Sequence, residues 1–289
     1  MIQNRISGWC SGAANPALRA SRSFGLIFCS LIACLALVVP GSGSEAHAGE
    51  LPAAPASSSL PDAPQPAQSV TLRSAPGDIL HDQAVIWTSP VRIRPHDLLW
   101  LAPLGAATGV AIATDQSAMR DIVSHETSFN SASANSSNAI IGGLIATPIA
   151  IYSVGHFRDD AHAREAGIMT GEAMIDGVVV EQGMKLIFWR ERPTVDNYRG
   201  RFFQSSAGID SSMPSSHSVL AWAAAASISG EYSSPWVRLA AYSAATGVSV
   251  TRVLAEQHFP SDVLVGSAAG WLIGHYVSHR HPWRRRRVH

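Results

Sequence analysis

From Leu98 to Ser278 the chain is a succession of apolar runs rich in Ala, Gly, Leu and Ile. None of them alternates apolar with polar residues as a half-buried strand would. Leu98 to Thr114 carries no charge, and Ala139 to Gly155 is similar. Arg164 to Arg190 is long but interrupted by Glu172, Asp176, Glu181 and Lys185. His217 to Gly230, Val237 to Leu254 and Pro260 to Ser278 follow. Such lengths, and so much Ala, Leu and Met, favour helices. The sequence therefore predicts an all-α fold, a bundle of about six main helices packed through small residues. A shorter helix, opened by Asp78 and carrying Ile79, Leu80, Val85, Ile86 and Trp87, precedes them and ends at Thr88-Ser89-Pro90.

The segment ahead of the bundle has a different character. Arg5, Arg19 and Arg22 precede an uncharged run whose apolar heart is Phe24 to Val39, followed by the small-residue pattern Ala46-His-Ala48. This reads as a secretory signal over residues 1–48, with an uncleaved membrane anchor as the alternative. Residues 49–76, rich in Pro, Ala and Ser, lack the apolar surface to offset ordering entropy and read as a disordered linker. The folded domain is expected over residues 77–280, with a basic tail over 281–289 that is either a solvated end or a contact for anionic lipid.

Composition narrows the function. The formal net charge is zero, so no global basic field points to nucleic acid. All three cysteines lie at or before Cys34, which leaves the bundle without disulfides or a Cys-based metal site. The apolar runs are mostly shorter than the ~20 residues of a span. Mean hydropathy is only +0.11. Glu172, Asp176 and Glu181 would be costly at membrane depth unless they face the interior. An exported bundle, soluble in the periplasm or associated with the membrane, is the expectation.

Three short patterns concentrate the chemistry. Lys185 and Arg192 are seven residues apart and precede Pro193, so on a helix reaching that proline they share a face and could clamp an anion. Paired with Glu181 or Glu191, they would instead be a charged stripe. Pro214-Ser215-Ser216-His217 marks a helix start, where free N–H groups and serine hydroxyls suit an anion, or where the serines simply cap. Arg252, His258 and Asp262 sit around the next helix boundary. There a carboxylate four residues after a histidine can accept its ring N–H and raise the basicity of the other nitrogen, or can be only a favourable first-turn charge.

Together, in this order, the patterns resemble the type 2 phosphatidic acid phosphatase family, which shares its fold with the vanadium haloperoxidases. That family's signature is K-x6-R-P, then P-S-G-H, then S-R-x5-H-x3-D. Ser216 stands where the family has glycine, and Thr251 where it often has serine. The resemblance implies a metal-independent phosphatase acting on phosphomonoesters or pyrophosphates of a lipid or on small phosphoesters. His258 would be the nucleophile, forming a phosphohistidine. Asp262 would orient it, and His217 would protonate the leaving alkoxide and then activate water. Lys185, Arg192 and Arg252, with Ser215 and Ser216, would hold the phosphoryl oxygens. It implies no cofactor, with vanadate binding as a phosphate mimic. A non-specific acid phosphatase, a vanadate-dependent haloperoxidase and a non-catalytic binding module with a relic site are the competing readings.

Overall fold

The structure, a computed structural model, describes residues 70–204 and 210–280. The signal, most of the linker and the basic tail lie outside the described residues. Seven α-helices follow in order: α1 (Ala75–Thr88), α2 (Leu98–Ser117), α3 (Thr127–Phe157), α4 (Ala161–Phe188), α5 (Ser216–Glu231), α6 (Pro235–Leu254) and α7 (Pro260–Arg280). No strand occurs among the described residues. The all-α bundle is as the composition predicts. The expected boundary at Gly77 falls inside α1, and Val70 ahead of it is buried against Ile168, Met169, Ile273 and Val277.

Two boundaries differ from expectation, each for a physical reason. Helix α3 begins twelve residues before Ala139, because the Ser- and Asn-rich stretch after Thr127 is helical rather than a loop. Two of its polar residues, Ser133 and Ser137, face inward and are buried. Helix α4 starts where Asp160 accepts the Ala163 N–H at 3.1 Å. It stops at Phe188, because Trp189 adopts a left-handed backbone (φ 40°) that ends the spiral. Arg192 therefore lies beyond the helix, and the shared helical face expected of Lys185 and Arg192 does not form. The chain instead doubles back, with Glu191 N–H donating to Arg201 O at 3.0 Å and Phe203 N–H to Phe188 O at 3.0 Å.

Helices α5 and α7 form the most intimate pair in the bundle. Gly266 approaches Ser215, Gly270 approaches Val219 and Gly274 approaches Ala223, so the two helices run parallel. A Cβ on Gly270 would collide with the Val219 carbonyl oxygen. The facing stretch of α5 is correspondingly small, with Ala221, Ala223, Ala224, Ala225 and Ala226 all buried. Parallel packing puts both N-termini, those that carry His217 and Asp262, at one end. Helix α6 returns antiparallel to α5, burying Ala241, Ala245 and Val248 against Ala221 and Ala225, and so delivers Arg252 to the same end.

The acidic residues of α4 face the interior. Glu172 pairs with Arg280 of α7 at 3.3 Å, Asp176 accepts from Gln83 of α1 at 2.8 Å, and Glu181 pairs with Lys185 at 2.7 Å. Apolar side chains lie outside instead. The segments Pro95–Ile122 and Thr127–Phe157 are long and apolar enough to cross a membrane, and the bundle buries 0% of the first one's apolar window against 33% of the second's. Leu98, Leu99, Trp100, Val110 and Ile112 of α2 are exposed. With the carboxylates of α4 inside and two segments long enough to span, two of the objections to lipid contact that the sequence raised fall away.

Gly270→Val separates α5 from α7 and is expected to lower stability by at least about 2 kcal/mol, read from chemical denaturation. A variant as stable as the native protein would show that the close approach is not needed.

Candidate active site

The eight residues singled out in the sequence converge where the parallel helices begin. Lys185 comes from the last turn of α4, Arg192 from the loop beyond it, Ser215, Ser216 and His217 from the start of α5, Arg252 from the last turn of α6, and His258 and Asp262 from the turn into α7. Ser215 is the N-cap residue of α5, fully buried, and its N–H donates to Asp262 O at 3.1 Å, tying the two helix starts together. The start of α5 and the side chains of Lys185, Arg192 and Arg252 bring positive charge to this end of the bundle.

His258 is nearly fully buried, and its Nδ1 lies 2.8 Å from the Ser212 carbonyl oxygen. Nδ1 therefore carries the proton, and Nε2 keeps its lone pair. The expected direct hydrogen bond from His258 to Asp262 is replaced by a looser contact, 3.8 Å from Nδ1 to Oδ2. Asp262 acts through an intermediary. Its Oδ2 accepts from Ser212 Oγ at 2.5 Å and from Phe259 N–H at 2.9 Å, fixing the loop whose carbonyl holds the histidine. Burial lowers the pKa of His258 despite Asp262 nearby, and Arg192 and Arg252 lower it further, so its imidazole is neutral at neutral pH. Burial opposes ionisation of Asp262, but His258, Arg190 and Ser212 together keep its carboxyl below the usual range.

Arg190, which the sequence reading passed over, is the hub of this arrangement. It is 1% exposed. Its guanidinium donates to Asp262 Oδ1 at 2.6 Å, Ser261 Oγ at 2.6 Å, Asp115 Oδ2 at 2.7 Å and Gly200 O at 3.1 Å. The Phe259 and Phe202 rings stack on it at 4.2 and 4.7 Å. Asp115, from the end of α2, also accepts the Ser261 N–H at 3.1 Å. A planar five-donor fork suits so many acceptors, and an ammonium does not. The signal in the sequence was Asp115 itself, a charge closing a long uncharged run.

His217 sits beside Arg252, His258, Lys185 and Arg192. Burial first, then those positive neighbours, push its pKa down to about 4. Its Nε2 lies 3.0 Å from Asn138 Oδ1 of α3. Arg252 reaches the same oxygen, and Ser137 Oγ, at 3.4 Å. Burial and the nearby Arg192 lower Arg252 to about 10, which leaves it charged at neutral pH. Its Nε is buried with no hydrogen-bond partner. Arg192 donates to two carbonyl oxygens, Asp210 O at 3.2 Å and Gln257 O at 3.4 Å. An unsatisfied buried donor, two guanidinium groups without a carboxylate partner and two neutral imidazoles form a setting that an anion of tetrahedral oxygens would complete.

The structure is an all-α bundle with cations and histidines gathered at paired helix starts, and sequence comparison adds what the chain is similar to. The PAP2 superfamily model matches residues 166–286. A lipid A 1-phosphatase from Porphyromonas gingivalis is 40% identical over 65 residues, which are 22% of this chain and 15% of that protein's length. No solved structure matches the chain.

Arg190→Lys keeps one charge but loses the fork, and should cost about 3 kcal/mol, because Asp115 and Asp262 are left incompletely neutralised in the interior. Denaturant unfolding measures it. Equal stability would remove Arg190 from the centre of the site.

Proposed function

We propose that the protein is a phosphatase that hydrolyses phosphomonoesters or pyrophosphates carried by a lipid, through a phosphohistidine on His258. The observation that carries this reading is the buried His258, with a free Nε2, facing the ring of Lys185, Arg192, Arg252 and His217 at two helix N-termini. The PAP2 match and the lipid A 1-phosphatase relative support phosphate chemistry on a lipid.

In this mechanism the Nε2 lone pair of His258 attacks phosphorus in line, and the bond from phosphorus to the ester oxygen breaks. His217, protonated in the substrate complex, gives its proton to the departing alkoxide. Neutral again, it then takes a proton from water. The resulting hydroxide attacks the phosphohistidine, the P–N bond breaks, phosphate leaves and His258 regains its lone pair. The Ser212 carbonyl holds the Nδ1–H throughout. Lys185, Arg192 and Arg252 face the equatorial oxygens, where the transition state spreads its charge, and N–H groups at the start of α5 add to them. These fixed cations take the part a divalent metal plays elsewhere, so the reaction proceeds without one, and vanadate occupies the same site.

The protein works at a membrane, on the side away from the cytoplasm. The apolar exterior of α2 and the signal-like N-terminus support that placement. The basic C-terminal tail gives it a further contact with anionic lipid.

The test is phosphate release from lipid phosphates and from soluble esters in excess chelator. Native protein is expected to release phosphate from the lipid substrates and to be inhibited by vanadate. His258→Ala should lose at least about a thousandfold in rate. Loss of all activity in chelator would overturn the metal-free scheme, and an active His258→Ala would overturn the nucleophile.

A second outcome follows from His217. With its pKa near 4 in the free protein, it is unprotonated at pH 6. A phosphate dianion placed beside it favours the imidazolium, so binding takes up a proton. Calorimetry of vanadate or phosphate binding at pH 6, in buffers of different ionisation enthalpy, should record about one proton more taken up by native protein than by His217→Asn, the ligand's own ionisation being common to both.

A further inference from the structure

Ser216 occupies the glycine position of the family signature, and its hydroxyl makes a closed set of contacts. It donates to Glu181 Oε1 at 2.6 Å and accepts from Lys185 Nζ at 2.9 Å. Lys185 Nζ meets the same Glu181 oxygen at 2.7 Å. The side chains of Lys185 and Glu181 are 6% and 2% exposed, so little water screens the pair. The other Glu181 oxygen accepts from Gln182 Nε2 at 2.8 Å. Ser216 is thus a bridge between a cation and a carboxylate rather than a donor awaiting the phosphate.

This changes the charge the site offers. Lys185 is balanced by Glu181. Arg190 is committed to Asp115 and Asp262. Arg192 touches only carbonyl oxygens, and Arg252 only uncharged side chains, among their hydrogen bonds. Among the described residues, two of these cations, Arg192 and Arg252, have no carboxylate partner.

Taking the site as the phosphate site argued above, we propose that Glu181, bridged by the Ser216 hydroxyl, is a positioning residue that anchors Lys185 and offsets its charge. The pair matches the site to a doubly charged phosphate and keeps it from retaining the product. Ser216 in place of glycine is then an adaptation that fixes the ammonium in one place. Glycine at that position would leave Glu181 as its one anchor.

Glu181→Gln tests this, because the amide keeps the shape and an acceptor for both partners while removing the charge. Binding of inorganic phosphate at pH 8, measured by calorimetry, is expected to tighten about tenfold and to weaken more steeply with added salt. Unchanged or weaker phosphate binding, in a variant with the native melting temperature, would overturn the proposal. Should Glu181→Gln fail to fold, Ser216→Ala and Ser216→Gly carry the test. Each removes one hydrogen bond to the ammonium, and kcat is expected to fall about fivefold at native stability. Native kcat and phosphate affinity in both would also overturn it. Failure of the native protein to bind phosphate at all would sink the anion site itself, whereas binding that is indifferent to Glu181→Gln sinks only the balancing role.

Discussion

The close parallel contact of α5 and α7 is the constraint on which the rest depends. Two parallel helices place two N-termini, with their unsatisfied N–H groups and like partial charges, at one end. That arrangement is unfavourable on its own account. It persists here because the contact is built from residues that let the backbones touch, with Gly270 against Val219 and Gly274 against Ala223. The electropositive end then needs anions. Asp262 supplies one inside the fold, and in the proposed reaction a substrate phosphate supplies another from outside. A fold that concentrates positive potential at one place is already most of an anion site before any catalytic side chain is added.

Arg190 turns this potential into geometry. An isolated Asp262 at the start of α7 would satisfy the helix but leave His258 unoriented. By holding Asp262 and Asp115 at once, Arg190 locks the end of α2, the loop beyond α4 and the start of α7 into one block. The Ser212 carbonyl that fixes the His258 tautomer belongs to the same block, since Ser212 N–H donates to Arg190 O at 2.8 Å. Breaking a buried pair by removing one member is far more damaging than the net worth of the pair, so such a hub tolerates little change. The histidine is thus oriented by a backbone atom, and the carboxylate acts one step removed.

Much of this was legible from the chain, and the parts that were not share a cause. The helices of α5, α6 and α7 follow from apolar runs bounded by proline, serine and aspartate. Six of the eight candidate residues, Lys185, Arg192, His217, Arg252, His258 and Asp262, are visible because charge and histidine stand out against an apolar background. The first third of α3 was not legible. Its serines and asparagines look like a loop, but they are helical, and two of them reach the candidate site: Asn138 meets His217 and Arg252, and Ser137 meets Arg252. Arg190 was hidden in a run that also holds Arg192. Only the left-handed turn at Trp189, which no local pattern announces, separates a buried hub from a charge at the rim. The Ser212 contact was invisible in principle, since a backbone carbonyl leaves no mark in a sequence.

The distribution of polarity argues for where such a bundle works. A helical bundle in water buries its apolar faces and solvates its charges. Here α2 carries its apolar residues outward, while Glu172, Asp176, Glu181, Arg190 and Lys185 are buried among partners. Charge inside and hydrocarbon outside is the arrangement that lipid imposes, where every polar group must be satisfied within the protein. The same inversion suits the proposed chemistry. A phosphate on a lipid stays near the headgroup layer, so its site must sit at the bundle's end, and the helix starts of α5 and α7 are where the backbone itself provides the donors.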